Sequence, residues 1–235
     1  MTNMLNIKRA AAPLRQEVLQ TLRTEIIEGR LAPGQRLTER ALTEMLDVSR
    51  TVLRESLRQL EAEGLISLVP NKGPMVRALT VEEARELYRI REMLEGLGAR
   101  LFAETAKPAQ VKALEVALTR VERAYATDEP QVILTAKNDF YDAIHSGSGS
   151  ENLSKMTATV LAQIWRWRAI GLTHPKRSKD RSRESARNLR DVVDAIRSGD
   201  GERAEQAARH EARLAASEVL RLLDCTESPA SELPD

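Results

Sequence analysis

The segment "SRTVLRESLRQLEAEGLISLVPNKGPMV", residues 49–76, restricts the fold of this chain more than any other. Leucines recur in its first part at every third or fourth position, at Leu53, Leu57 and Leu60. This spacing predicts a helix with one buried face, which Ser49 caps and Gly64 ends. The apolar stretches "LISLV" and "PMVRAL" then flank the turn "PNKG", which predicts a two-stranded hairpin.

Two further helices are predicted before this segment. Pro13 is suited to the first turn of a helix, and apolar residues follow at every fourth position up to Ile26. After the turn "LAPGQRL", Thr38 can cap a short second helix, and "LDVS" leaves room only for a tight turn before Ser49. Helix, helix, tight turn, helix and hairpin is the order of a winged helix-turn-helix, which we predict for residues 1–79.

Three arginines, Arg50, Arg54 and Arg58, lie on a face of the third helix other than the leucine face. In a winged helix-turn-helix this helix enters the DNA major groove, and the hairpin lies beside the DNA backbone. A guanidinium near the start of the helix can bind the O6 and N7 acceptors of guanine or hold phosphates. We therefore expect Arg50 and Arg54 to contact DNA and Arg58 to be solvated. The net charge of +1 is uninformative, because DNA binding depends on where the cations lie.

The stretch "LAPGQRLTERALTEMLDVSRTVLRESLRQLEAEGLISLVPNKGPMV", residues 31–76, resembles the DNA-binding region of the GntR family of bacterial transcription regulators. Val52 stands where many members have proline, and this departure resembles the FadR branch of the family. The resemblance implies double-stranded operator DNA as a partner. It also implies main DNA contacts from Arg40, Arg50 and Arg54, phosphate contacts from Ser49 and Thr51, and wing contacts from Lys72 and Gly73.

The second half, from about Thr80, lacks the alternation typical of strands and is predicted to be all α. Glycines and prolines fall mainly between six predicted helices, which we expect to form an antiparallel helical bundle. The predicted helices are 80–106, 109–126, 130–146, 151–172, 180–198 and 200–223. We assign the bundle to residues 80–225 and a C-terminal tail to residues 226–235.

The stretches "LYRIREMLEGLGARLFAE" and "VVDAIRSGDGERAEQAARHEARL" resemble the FCD effector domain that accompanies the FadR branch. Many FCD domains are understood to hold a divalent metal through one Asp and three His, and the metal then holds a carboxylate effector. Here Lys137, Tyr141, Leu189 and Glu211 fall on those four positions, with His210 one residue from the last. A transition-metal site needs several converging nitrogen or sulfur ligands, so we predict that no metal cofactor is bound.

The residues at the altered positions suggest an anion site instead. Lys137 and Tyr141 lie one helical turn apart, and Arg91 resembles the FCD arginine that faces the effector pocket. Together with His210 they could bind a small anionic metabolite, although each alone could equally be an ordinary salt-bridged, snorkelling or core side chain. The basic tract "HPKRSKDRSRESARNLR" opens a later helix, and we expect it to form a solvated face.

These features favour a ligand-responsive DNA-binding transcription regulator, a repressor that a small carboxylate or acyl metabolite releases. One winged helix-turn-helix covers too little DNA for specificity in a genome, so we expect a homodimer. Two alternatives stay open: an architectural DNA-binding dimer without an effector, and a metal-dependent sensor of the FCD type. An enzyme is not expected, because the sequence has no glycine-rich phosphate loop, nucleophile elbow or convincing acid–base cluster.

The sequence also bears on the compartment. No apolar run approaches the roughly 20 residues needed to span a bilayer, and the N-terminus does not resemble a secretory signal. We therefore expect a cytoplasmic protein without a membrane segment. The single cysteine excludes an intrachain disulfide and a multi-cysteine metal site.

Overall fold

The chain divides into two compact units between Leu79 and Thr80. The computed structural model describes residues 11–227, so residues 228–235 of the predicted tail lie outside the described residues. In the described part, the first unit consists of helices and a β-hairpin, and the second unit consists of helices. The predicted fold class, mainly α with a winged helix-turn-helix followed by an all-α domain, is confirmed.

The first unit is built from five elements: α1 (Ala11–Ile27), α2 (Glu39–Leu46), α3 (Arg50–Ala62), β1 (Ile66–Val69) and β2 (Gly73–Val76). Helix α3 begins where the Ser49 hydroxyl oxygen accepts a hydrogen bond from the Val52 N–H, at 3.3 Å. Its leucine face packs against α1, and Leu53 and Leu60 are fully buried. Asp47, in the left-handed backbone region at φ 50°, closes the tight turn between α2 and α3.

The wing is an antiparallel hairpin in which Ile66 pairs with Val76 and Val69 pairs with Gly73. The segment before α2 adds a third, short partner that the sequence did not indicate. There the Leu37 N–H donates to the Pro74 carbonyl at 2.7 Å, and the Val76 N–H donates to the Gln35 carbonyl at 2.9 Å. Backbone hydrogen bonds therefore tie both edges of β2 to the same unit.

The second unit contains helices α4 to α10 within the described residues. Their bounds are α4 (Val81–Thr105), α5 (Pro108–Thr127), α6 (Pro130–Gly147), α7 (Glu151–Gln163), α8 (Trp165–Thr173), α9 (Arg181–Arg197) and α10 (Gly201–Glu227). Thr80 and Glu83 form a capping box at the start of α4, which packs along α10. The core between the helices includes the fully buried Phe102, Leu114 and Phe140. None of the described helices is long and apolar enough to cross a membrane.

The prediction of a single helix over residues 151–172 is wrong. The structure divides this segment into α7 and α8 at Ile164, whose backbone (φ −93°, ψ 11°) leaves the helical region. Ile164 is fully buried, and no glycine or proline marks the break. Between residues 80 and 227, seven helices therefore replace the six predicted ones, and α10 extends to Glu227, past the predicted end at residue 223.

Candidate DNA-binding and effector-binding sites

The exposed face of α3 carries residues that the sequence predicts to contact DNA. Arg50, Thr51 and Arg54 are exposed there, whereas Leu53 faces the core. Arg58 is also exposed, one turn further from the start of the helix. The Ser49 oxygen accepts the capping hydrogen bond, so its O–H group can still donate to a phosphate. The local fold thus presents two guanidinium groups and two hydroxyl groups at the start of one helix.

Two of the predicted arginines hold carboxylates of the same unit. Arg54 Nε lies 2.9 Å from a carboxylate oxygen of Glu39, and Arg40 Nε lies 2.9 Å from one of Glu44. The Arg54 and Arg40 side chains are 59% and 83% exposed, so solvent screens these pairs and they stabilise the fold little. Both guanidinium groups can therefore exchange these carboxylates for DNA acceptors at small energetic cost.

The tip of the wing carries the other two predicted contacts. Lys72 is exposed in the turn between β1 and β2, and its N–H donates to the Val69 carbonyl at 3.0 Å. Gly73 has φ 79°, a left-handed conformation that disfavours other residues. A Cβ atom at this position would meet no atom within 4 Å, so backbone conformation rather than crowding explains the glycine.

In the second unit, four side chains surround the fully buried carboxylate of Glu211. Lys137 Nζ lies 3.2 Å from one oxygen, and Arg181 Nη2 lies 3.1 Å from the other. The Ser185 hydroxyl and the Asn188 side-chain amide also donate hydrogen bonds to this carboxylate. These five residues, which we call the Glu211 cluster, join helices α6, α9 and α10.

The surroundings of Glu211 keep its carboxyl group ionised. Burial alone would raise its pKa. The charges of Lys137 and Arg181 and the hydrogen bonds from Ser185 and Asn188 outweigh burial and lower the pKa to about 2. Two cations and one anion leave the cluster with one excess positive charge.

The residues at the four metal positions of related FCD domains do not fit a divalent metal. The one carboxylate among them, Glu211, already lies within hydrogen-bond distance of an ammonium and a guanidinium group, which would repel a metal cation. Leu189 is buried and has no ligand atom. In the part of the chain that the structure describes, no group of three or more His, Cys, Asp or Glu side chains could hold a metal ion.

Tyr141 and His210 have different surroundings. Tyr141 is buried, and the guanidinium carbon of Arg91 lies 5.5 Å from the centre of its ring. The Tyr141 hydroxyl makes no hydrogen bond to a described residue, and burial raises its pKa well above the usual value. His210 lies on the exposed side of α10, while the neighbouring Glu211 points inward. The structure therefore brings Arg91 and Tyr141 together and leaves His210 outside the interior.

A cavity of about 60 Å³ lies beside the Glu211 cluster. It contains Arg91 and Lys137 from the predicted anion site among its lining residues. The polar and charged lining residues are Tyr88, Arg91, Tyr125, Lys137, Arg168, Arg177, Arg181, Ser185 and Glu218. A small cavity with this much positive charge at its wall is suited to an anion.

The cations around the cavity are not equally satisfied. Arg91 is buried and pairs with Glu95 at 2.6 Å, whereas Arg168 Nη2 is buried without a hydrogen bond to any residue between 11 and 227. Burial and the nearby charge of Arg91 lower the pKa of Arg168 to about 10, so this side chain stays charged at neutral pH. Tyr88 is likewise buried without a described partner for its hydroxyl, and burial raises its pKa to about 12.

Sequence reasoning missed three of these cations. Arg177 and Arg181 belong to the basic tract that we expected to form a solvated face, yet both line the cavity and Arg181 is 7% exposed. That expectation is wrong for these two residues and correct for Lys179 and Arg183, which are exposed. Arg168 lies in α8, beyond the break that the sequence did not reveal. Arg177 lies in the segment before α9 and Arg181 is the first residue of that helix, so no helical periodicity connects the two in the sequence.

The comparisons with known proteins agree with this organisation. Residues 14–76 match the family described as bacterial regulatory proteins, gntR family, and residues 86–213 match the FCD domain. The chain is 28% identical over 172 residues to the uncharacterized HTH-type transcriptional regulator YdhC of Bacillus subtilis, covering 73% of this chain and 77% of that protein. It is 29% identical over 191 residues to a probable D-xylose utilization operon transcriptional repressor of Paenarthrobacter nicotinovorans, covering 79% and 80%.

Two solved structures share the fold. Escherichia coli McbR/YncC, at 22% identity, superposes with a TM-score of 0.76 over 91% of this chain and 99% of its own. A GntR regulator from Rhodococcus sp. RHA1, at 26% identity, gives a TM-score of 0.69 over 88% and 97%. With the FCD match spanning more than half of its length, this chain belongs to the FadR branch of the GntR family, DNA-binding transcription regulators rather than enzymes, with an N-terminal winged helix-turn-helix and a C-terminal FCD domain.

Proposed function

We propose that this regulator is a repressor that binds operator DNA and dissociates from it when a small anionic metabolite binds in the second unit. The observation that carries the proposal is the cavity beside the Glu211 cluster, where buried cations lack enough counter-charges. A carboxylate or acyl metabolite, as the sequence suggested, is one such anion. Repression is supported by relatives such as the D-xylose operon repressor.

On the DNA side, we propose that α3 enters the major groove. Arg50 and Arg54 are exposed near its start, where a guanidinium group can donate hydrogen bonds to both the O6 and N7 atoms of guanine. Arg40, Ser49 and Thr51 would hold phosphates or support these contacts, and Lys72 and Gly73 would bring the wing to the backbone. The exposed pairs Arg54–Glu39 and Arg40–Glu44 support these roles, because screened carboxylates give way to DNA readily.

We further propose a two-fold symmetric homodimer that reads an inverted repeat. Ile90, Met93 and Leu97 of α4 support it, since they lie on one helical face and are 48%, 54% and 44% exposed. Apolar side chains grouped in this way are typical of a surface that another chain covers. The charged cavity argues against the architectural alternative, for which a bundle filled with apolar side chains would serve.

The release of DNA can be tested with the full-length protein. Operator DNA can be obtained by selection from random sequences, and its affinity for the protein measured with each of a panel of small anions. An anion that fits the cavity should weaken the binding of the protein to this DNA. Lys137→Ala should remove this response and leave DNA affinity unchanged, because Lys137 lies in the second unit, outside the DNA-binding helices. The control Lys155→Ala removes an exposed lysine of α7 and should respond normally. An anion response that survives in Lys137→Ala would count against this site.

A further inference from the structure

The groups around the cavity leave specific bonding positions open. The Tyr88 hydroxyl, Arg168 Nη2 and Arg181 Nη1 are buried, and none makes a hydrogen bond to a described residue. A carboxylate oxygen of Glu184 lies 3.6 Å from Arg181 Nη1, which is too long for a good hydrogen bond. All three side chains line the cavity. Buried donors are usually satisfied, so three open donors at one cavity indicate a missing acceptor.

The charge balance at the cavity indicates how much negative charge that acceptor carries. Five cations and one carboxylate line the cavity. Two more carboxylates, Glu95 and Glu211, pair with lining cations from behind. Five positive charges against three negative charges leave an excess of two. Further out, Arg221 lies beside a lining carboxylate and Glu184 beside a lining arginine, and their charges have opposite signs. The Asp142 carboxylate also interacts with the Arg168 charge, but Asp142 is exposed, so solvent screens its contribution.

The size of the cavity restricts the chemistry further. One water molecule needs roughly 10–15 Å³ of such space, so about 60 Å³ holds on the order of four or five non-hydrogen atoms. A phosphoryl group has one phosphorus and three or four oxygens, and it carries a charge of roughly −1.5 to −2 at pH 7. A single carboxylate would fill a smaller part of the cavity and neutralise half of the excess charge. Arginine forks also match the oxygens of phosphate in pairs.

We propose that the cavity binds the phosphoryl group of a phosphate ester or inorganic phosphate, held by Arg168, Arg181 and the Tyr88 hydroxyl. This inference rests on the proposed function and narrows its effector from anions in general to a dianion. Arg168 and Tyr88 are the new binding residues, because neither has another described partner for these buried donors. Glu211 is not displaced: it holds Lys137 and Arg181 at the cavity wall.

Isothermal titration of the full-length protein tests the proposal with three probes: inorganic phosphate, methyl phosphate and acetate at matched ionic strength. Phosphate or methyl phosphate should bind, and acetate should bind at least about tenfold more weakly. Tighter binding of methyl phosphate than of inorganic phosphate would identify a phosphate ester as the ligand. Tighter binding of inorganic phosphate would identify the inorganic ion. Tyr88→Phe and Arg168→Gln should each weaken binding by at least about tenfold, the loss expected for a hydrogen bond to a charged group.

A second measurement separates binding from folding. The Nη2 atom of Arg168 is buried without a described hydrogen-bond partner, so Arg168→Gln should raise the melting temperature in phosphate-free buffer while it lowers phosphate affinity. The control Arg166→Gln changes an exposed arginine two residues away in α8 and should leave both quantities unchanged. Equal binding of phosphate and acetate, or unaltered phosphate affinity in Arg168→Gln, overturns the phosphoryl site.

The same titrations distinguish the two proposals. Tight acetate binding that depends on Lys137 and weakens operator binding would overturn the phosphoryl inference and leave the anion-released repressor standing. Phosphate binding that depends on Arg168 but leaves operator affinity unchanged would support the site and contradict release of DNA by its ligand.

Discussion

The ionised Glu211 carboxylate should stabilise the second unit strongly at neutral pH. Lowering its pKa from 4.5 to about 2 corresponds to about 3 kcal/mol, at roughly 1.4 kcal/mol for each tenfold change in proton affinity. Because the folded-state pKa lies below the unfolded-state value, this stabilisation is complete above about pH 5 and is lost as the pH falls towards 2. At pH 3 about half of this stabilisation should remain.

The substitution Glu211→Gln removes the charge and preserves the size of the side chain. The buried Arg181 and the partly buried Lys137 then lose their carboxylate, and breaking a buried ion pair typically costs about 3–5 kcal/mol. This range agrees with the value from the pKa. We expect the free energy of unfolding to fall by about 3 kcal/mol at pH 7 and by about half as much at pH 3.

Urea unfolding followed by tryptophan fluorescence measures this effect in the second unit. Both tryptophans of the chain, Trp165 and Trp167, lie there, so the signal does not report the DNA-binding unit. Glu202→Gln is the control, since Glu202 is an exposed residue of the same helix and should change stability by less than about 0.5 kcal/mol. A loss below about 1 kcal/mol at pH 7, or one that is as large at pH 3, would refute the reasoning.

Three further predictions concern DNA, assembly and metal. Arg54→Ala should weaken operator binding by roughly 1–3 kcal/mol and relax base preference, whereas Lys72→Ala should weaken specific and random DNA alike; identical losses on both DNAs for both variants would contradict these roles. Sedimentation should show a dimer at micromolar concentration that Met93→Lys converts to a monomer, while Met156→Lys, at another exposed methionine, should not. A strong chelator should leave the effector response intact, and stoichiometric zinc, nickel or manganese in purified protein would disprove a metal-independent site.

The DNA-binding unit was predictable because its signals are local. The Ser49 cap, the leucines of α3 and the turn before Gly73 each determine the structure of only the few residues around them. The structure places all of them as the pattern indicated. The pairing of Gln35 and Leu37 with β2 was not visible, since one-residue partners leave no alternation in a sequence.

The candidate effector site was predictable only in part. Lys137 and Arg91 were found through their positions in a family pattern, but the partner of Lys137 lies 74 residues away and no periodicity connects them. Arg168 and Arg181 resemble solvent-exposed arginines in sequence, because burial of a cation depends on how α8, α9 and α10 pack. The break at Ile164 was missed for the same reason, since a fully buried isoleucine carries no local stop signal.

The hydrogen bonds on both edges of β2 restrict how the wing can be changed. A strand bonded on one edge can swing about its hairpin, whereas β2 is anchored to β1 and to the residues that lead into α2. Changes of length at Pro70, Asn71 and Lys72 should therefore alter how far the tip reaches along a DNA backbone without shifting α2 or α3. Changes in this turn could therefore alter during evolution how the wing contacts the DNA backbone, independently of how α3 contacts the bases.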